Sequence, residues 1–244
     1  MKRKYIILIA VLGVYLVNSC QLERKINIVS YYLPLNDLKE GLVYEYQSTN
    51  DNFPPYYWYF RTIKQGNSTF LTGMNYNHTF TPQQFIRETS VSNGMLLEEA
   101  YIYELDTLDK QIKLRMEITA GNVFPFQVQD SLGVFLYNIS WENAADSVKT
   151  TIIRNRRYTG KTTTEFQGKT YDAVTFSVRE LIEDEREGTL KLELTGKEIY
   201  AKGIGLVYTQ KQTIDGNFRQ TYQLVDRYSM EELEAKFGAS GLGK

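Results

Sequence analysis

Cysteine is almost absent: the chain of 244 residues has one, Cys20. No disulfide can form within it, so stability has to come from packing and sheet hydrogen bonds. Histidine is equally scarce, with His78 alone in Asn75-Tyr76-Asn77-His78-Thr79. A metal site of His and Cys ligands cannot be assembled. Any Ser-His-Asp or Cys-His relay would have to run through that one residue, and no serine sits in a Gly-x-Ser-x-Gly frame. Gly203-Ile204-Gly205 lacks the third glycine and the following helix of a phosphate loop. No cofactor is implied. Positive charge is not in excess either, with 28 Lys+Arg against 29 Asp+Glu. That argues against nucleic acid, which requires a basic face. Long apolar runs are missing too. The longest, Tyr5 to Val17, has thirteen residues, short of the ~20 a spanning helix needs.

That run follows Lys2, Arg3 and Lys4, and a basic region before a short apolar one fits a secretory leader. It ends in Val17-Asn18-Ser19-Cys20, an aliphatic residue, a small one, then the only cysteine. This resembles the lipobox of bacterial lipoproteins. The resemblance implies cleavage before Cys20 and three acyl chains on it, and two chains already hold a protein stably on a membrane. Gln21 in place of Asp implies sorting to the outer membrane, with the body facing the periplasm or the exterior. Cleavage would leave 225 residues. Losing Lys2, Arg3 and Lys4 takes the basic count from 28 to 25 against 29 acids, so the body is mildly acidic.

The body is 42% hydrophobic over the whole chain, enough for one sizeable core, and its pattern is strand after strand. Ile112, Leu114, Met116 and Ile118 alternate with Gln111, Lys113, Arg115 and Glu117. Leu190, Leu192 and Leu194 alternate with Lys191 and Glu193. Val174, Phe176 and Val178 oppose Thr175 and Ser177, while Phe218, Gln220, Tyr222 and Leu224 oppose Arg219, Thr221 and Gln223. A period of two with one apolar face describes an antiparallel sheet wet on one side. Turns fall between the runs at Gln65-Gly66-Asn67, Ser92-Asn93-Gly94, Gln167-Gly168-Lys169, Glu187-Gly188 and Asp215-Gly216-Asn217. Asn-Gly and Asp-Gly supply the positive φ of tight hairpins. One helix is expected, Met230 to Phe237. Ser229 and Glu232 form its capping box, Leu233 and Phe237 face the sheet, and Gly238 ends it. The fold class is therefore mainly β: a single curved antiparallel sheet or partly open barrel with a short C-terminal helix. Residues 1–19 read as a lipoprotein signal peptide, 20–36 as the lipidated Cys and a tether, and 37–244 as a single β-rich domain.

Tyr200-Ala201-Lys202-Gly203-Ile204-Gly205-Leu206-Val207 resembles the A-x-G-V-G-L-V element of β-rich periplasmic proteins of the LolA/LolB type. The resemblance spans about thirty residues and implies a strongly curved sheet with an apolar concavity. Helices plug the mouth in those carriers, whereas this chain offers one short helix. Physically, two glycines one residue apart let the backbone turn, and Leu206 and Val207 restart the sheet.

Phe53-Pro54-Pro55-Tyr56-Tyr57-Trp58-Tyr59-Phe60 is the least ordinary stretch of the body. As a strand it puts Tyr56, Trp58 and Phe60 on one face and Tyr57 and Tyr59 on the other. One row is core; the other is a candidate contact for a ligand or partner, since exposed aromatics stack on sugars or proteins. Most carboxylates fall at outward positions, Glu98, Glu99, Glu117 and Glu193 among them. Only Glu45 is flanked by apolar residues, Tyr44 and Tyr46, which point away from it in a strand. No acid pair on a predicted inner face supports glycoside hydrolysis. Asp106-Thr107-Leu108, Asp130-Ser131-Leu132 and Asp146-Ser147-Val148 resemble the O-glycosylation acceptor of Bacteroidota.

These readings describe a non-enzymatic envelope lipoprotein held on the membrane through Cys20. The expected ligand is apolar or a lipid, bound in the concavity of the sheet. The alternative is an envelope-protein or glycan partner docked on an aromatic strip of Tyr56, Trp58 and Phe60. A hydrolase is the weaker third. Replacing Cys20 by Ala is expected to abolish acyl labelling and release the protein from membranes. Membrane pelleting of wild-type protein carrying no acyl mass would contradict the anchor.

Overall fold

The computed structural model describes residues 25–49, 53–129, 133–186 and 188–240, with side chains through Phe237. The leader, Cys20, the acceptor at Asp130-Ser131-Leu132 and Glu187 lie outside the described residues.

Among the described residues the elements are nearly all strands. The first half holds β1 (Ile26–Asn27), β2 (Leu42–Ser48), β3 (Tyr56–Gln65), β4 (Ser68–Tyr76), β5 (Pro82–Val91), β6 (Gly94–Leu105), β7 (Gln111–Arg115) and β8 (Glu117–Pro125). The second holds β9 (Gln127–Val128), β10 (Phe135–Glu142), β11 (Lys149–Phe166), β12 (Lys169–Arg186), β13 (Gly188–Ala201), β14 (Gly205–Thr213) and β15 (Arg219–Tyr228). One helix, α1 (Met230–Ser240), follows.

From β2 to β15 the strands form an antiparallel up-and-down meander, with β8 followed by β10 because β9 stands outside it as the partner of β1. β15 then pairs with β2, Leu224 opposite Tyr46 and Tyr228 opposite Val43, and twelve strands close into a barrel. This corrects the expectation of a single curved sheet or partly open barrel. Local periodicity reveals hairpins, but the closing ladder joins residues about 183 positions apart. Closure leaves no free edge, which is the usual physical reason for a sheet to curl shut. β7 and β8 act as one broken strand beside β6, bridged at Met116, whose N–H donates to the carbonyl of Ala100.

One end of the barrel is sealed by the segment before β2. β1 pairs with β9, a 3-10 turn follows at Val29–Tyr31, and Ile28, Tyr31, Tyr32 and Leu38 are buried. The sequence assigned residues 20–36 to the lipidated Cys and tether; those from Ile26 onward run across this end. The glycines of the Tyr200–Val207 element hold the seal. Gly203 (φ +74°) donates its N–H to the carbonyl of Ser30, and Gly205 (φ +101°) lies so close to Leu33 that a Cβ would collide at 2.8 Å. Turns at the opposite end surround a mouth. β11 and β12 run 18 residues each and carry the sheet past that rim. Leu190 and Leu192 therefore lie 70% and 43% exposed, and only Leu194 of their alternation is buried.

Inward residues form one aromatic-rich core containing Tyr44, Tyr46, Phe124 and Phe176. On the outside, α1 covers β2 and β3. Leu233 is buried there with Val43, Tyr57 and Tyr228, and Phe237 meets Phe80 and Tyr57. The capping box forms in both directions, Ser229 N–H to Glu232 Oε2 (2.7 Å) and Glu232 N–H to Ser229 Oγ (3.2 Å). The helix does not stop at Gly238 but continues to Ser240. The hairpin at Asn93-Gly94 uses no positive φ; glycine is required there because a Cβ would sit 2.6 Å from the carbonyl oxygen of Phe124.

Gly196 marks the tightest approach of two strands, since a Cβ there would lie 1.8 Å from the carbonyl oxygen of Gln210. Gly196→Ala is expected to force β13 from β14 and cost about 1–3 kcal/mol in urea unfolding. Gly133→Ala, which meets only the Phe135 ring at 3.3 Å, is the control and should stay within about 0.5 kcal/mol.

Candidate functional site: the barrel interior

A barrel of about eight strands is just wide enough for side chains to fill, and sixteen or more leave a channel. Twelve falls between, and this barrel retains an internal cavity of about 490 Å³. Its walls differ. β2, β3 and β15 supply Tyr46, Tyr56, Trp58, Phe60 and Tyr222. Tyr46 stacks on Tyr56 (4.9 Å between ring centres), Trp58 on Phe60 (5.3 Å), and Tyr222 meets Tyr56 edge-on (4.7 Å). Ile86, Leu97, Val123 and Ile139 add an aliphatic wall from β5, β6, β8 and β10.

The wall across from β3 is charged. Six strands around the ring, β11 turns Arg154 and Arg156 inward, and β13 and β14 add Glu198 and Lys211. Glu180 of β12 joins the two cations beside it: Oε1 accepts from Lys211 (2.6 Å), and Oε2 accepts from Arg154. Glu198 lies 2.9 Å from Nε of Arg156 and 4.0 Å from Arg154, and it accepts the hydroxyl of Tyr200 (2.8 Å). The Arg156 Nε–H is not aimed at that carboxylate and has no acceptor, although Nη1 donates to the carbonyl of Val123 (2.7 Å). At the sealed end the Tyr32 hydroxyl donates to Glu88.

Burial opposes every one of these charges, and partners decide the outcome. For Glu180, Arg154 and Lys211 overcome burial and hold the carboxyl down at about 2. Glu198 is likewise held below the ordinary range, its burial outweighed by Arg156, Arg154 and the Tyr200 hydroxyl. Glu88 goes the other way. Burial prevails over the Tyr32 hydroxyl and Arg156, and its carboxyl is pushed up to about 7. Burial and the neighbouring Arg154 lower Lys211, against the pull of Glu180.

The sequence singled out Tyr56, Trp58 and Phe60, and the structure places all three on the cavity wall, with Tyr57 and Tyr59 outside. Cys20 lies outside the described residues. His78 is exposed in the turn between β4 and β5, away from this wall. Among the described residues no three His, Cys, Asp or Glu side chains gather as a metal site. Glu45 faces outward beneath α1. There Lys236 (2.8 Å), Tyr228 (2.6 Å) and Gln47 (2.7 Å) outweigh its burial and keep it below the usual carboxylate range. The charged wall was missed, yet it left a signal. Glu180 continues the parity of Val174, Phe176 and Val178, and Arg154 and Arg156 share the parity of Ile152 and Tyr158. Charges on an otherwise apolar face announce an interior network.

No protein-family model matches this chain, and no curated protein does. Among solved structures it is similar to an exported protein with a YmcC-like fold from Bacteroides fragilis (TM-score 0.56, 11% identity, covering 81% of this chain and 99% of the other). A protein named as a lipoprotein from Parabacteroides distasonis gives 0.49 at 11% identity, covering 80% and 95%. The hypothetical lipoprotein YmcC of Escherichia coli gives 0.32 at 8%, covering 79% and 88%. At these identities the likeness is one of fold, and the Bacteroides fragilis structure carries it.

Glu88 generates a pH test. The folded protein keeps that proton up to about pH 7, whereas an unfolded carboxyl loses it near 4.5. The native state therefore binds more protons between those values, and stability falls as pH rises through them, by up to about 3 kcal/mol. Glu180 acts with opposite sign lower down: its stabilisation is complete above pH 4.5 and lost as pH falls through about 2. Urea unfolding at pH 5 and pH 8 is expected to show a loss for wild type that Glu88→Gln largely removes. Equal losses in both proteins would contradict it.

Proposed function

We propose that this protein is an envelope lipoprotein, anchored to the outer membrane through lipidated Cys20, whose barrel binds an apolar or lipid ligand. The observation that carries the reading is the internal cavity. Its 490 Å³ falls within the ~300–1,000 Å³ of small-molecule sites. It is lined on one side by aromatic and aliphatic side chains and sealed at one end by residues from Ile28 to Leu38. The leader supplies the address, and the Bacteroides fragilis protein of the same fold is named as exported, in agreement with it. The role is non-enzymatic in this reading. Glu180 and Glu198 are held as ionised partners of Arg154, Arg156 and Lys211, and Glu88, the one carboxyl on this wall pushed up to about 7, is bonded to the Tyr32 hydroxyl at the sealed end.

A second reading, docking of an envelope partner, is favoured by the tips around the mouth. Leu108, Leu190 and Ile214 are 83%, 70% and 71% exposed at the ends of three separate hairpins. The aromatic strip of Tyr56, Trp58 and Phe60 does not serve that reading, because it faces inward.

The test is displacement of a fluorescent aliphatic probe from the mature protein. The protein is kept soluble in a fluorinated surfactant that does not dissolve alkyl chains. Saturable binding that quenches Trp58 emission, with the quenching lost in Trp58→Phe, is the expected result. Unsaturable uptake, or saturable binding unchanged when Trp58 and Ile86 are replaced by Gln, would sink the cavity as the site.

A further inference from the structure

Three cations face the cavity, Arg154, Arg156 and Lys211, against two carboxylates that are fully engaged with them, Glu180 and Glu198. The third carboxyl on the wall, Glu88, is taken by Tyr32 at the sealed end, and burial pushes it up to about 7, so it is only partly ionised at neutral pH. Acids nearer the mouth have their own partners. Glu104 accepts from Trp141 (2.7 Å) and from the Ala144 N–H (2.9 Å), and Asp184 accepts from Thr150 (2.5 Å). The interior wall thus holds positive charge in excess, in a place where an unmatched charge is expensive.

Donors are in excess as well. Lys211 carries three N–H groups and gives one to Glu180. Nε of Arg156, a residue 7% exposed, donates to nothing. The hydroxyls of Tyr56 and Tyr137 also line the cavity and make no hydrogen bond to protein, and Arg154 lies over the Tyr137 ring at 5.8 Å. Charged and hydroxyl donors therefore converge from β3, β10, β11 and β14 without matching acceptors. The opposite wall presents Trp58, Phe60 and Ile86, against which an alkyl chain can lie, with Asn75 and Gln84 as its polar neighbours.

Resting on the reading of the cavity as a lipid site, we propose that its ligand is an acidic amphiphile. A carboxylate or phosphate head lies among Lys211, Arg154 and the hydroxyls of Tyr56 and Tyr137, and the alkyl chain lies against Trp58, Phe60 and Ile86. The anion supplies the missing acceptors and the missing negative charge together. A neutral head supplies only acceptors, and a cationic head meets the wall's excess of positive charge in low dielectric.

The test displaces the same aliphatic probe with hexadecanoate, hexadecyl phosphate, hexadecanol and hexadecylammonium, on the mature protein in fluorinated surfactant. At least one of the two acids is expected to bind about tenfold or more tighter than hexadecanol, the size of one or more hydrogen bonds to a charged group. Whichever acid binds tighter separates a fatty-acid source from a phosphate-lipid source. The amine is expected to be weakest. Tyr56→Phe combined with Tyr137→Phe removes two hydroxyls that support no protein contact, so the fold should persist. It is expected to cut the preference for acid over alcohol several-fold, and Lys211→Met to cut it further. Hexadecanol or hexadecylammonium binding as tightly as both acids would overturn the acidic head and leave the lipid site standing. Failure of all four to displace the probe would overturn both.

Discussion

The ladder between β2 and β15 is the constraint on which the rest of the structure depends. Without it the meander would be an open sheet with two long free edges, and its inner residues would face water. Closing it brings together strands from opposite ends of the chain, an expensive loop closure that only a broad buried ladder can offset. The seam is correspondingly well supported. Tyr44 and Tyr46 are buried on its inner side, with hydroxyls donating to the carbonyls of Ile204 and Leu206. On its outer side Glu45 accepts from Tyr228 and from Lys236 of α1. The helix is thus a clasp on the seam, and the segment before β2 is a stopper at one end.

Twelve strands set the interior width, and that width creates the second problem. Side chains reaching in from opposite walls do not fill the space, so cavity and charge occupy it together. A buried network such as Arg154–Glu180–Lys211 is not an economical way to stabilise a core. Well-packed apolar residues of the same size usually do at least as well. A network of this kind lining a cavity beside aromatic residues is what the proposed recognition of an acidic head would use. The polar wall also fits its surroundings: Lys211 and Arg154 keep 26% and 22% of their side-chain surface accessible, whereas Glu180 keeps 2%. Glu180 lies behind, and Arg154 and Lys211 lie in front of it.

Much of this was legible locally. Alternation located the strands from Gln111 to Ile118 and from Arg219 to Leu224, and Ser229 with Glu232 located the helix start. What could not be read was anything decided between distant segments. Closure is invisible to a period of two, because an open sheet and a barrel share the same alternation. The same limit hid the rim. Leu190 and Leu192 have an inward parity, but β12 and β13 have outrun the barrel wall at that point. The glycines of Gly203-Ile204-Gly205 read correctly as a turn, yet their partners, Ser30 and Leu33, lie far away in sequence. The aromatic triad was found by composition, while the charged wall needed parity to be followed past the last apolar residue. Its members sit on three neighbouring strands, β11, β12 and β13, and on β14, so no short motif contains them.

The account's central claim is that the barrel is built around an acidic, chain-bearing ligand. The most direct measurement is native mass spectrometry of the protein purified from its own envelope, with any covalent acyl mass assigned separately. The predicted result is one additional non-covalent mass per chain, released on unfolding and identified as a lipid with a carboxylate or phosphate group. A protein that flies only at its covalent mass, or that carries a lipid without an acidic group, would contradict the claim.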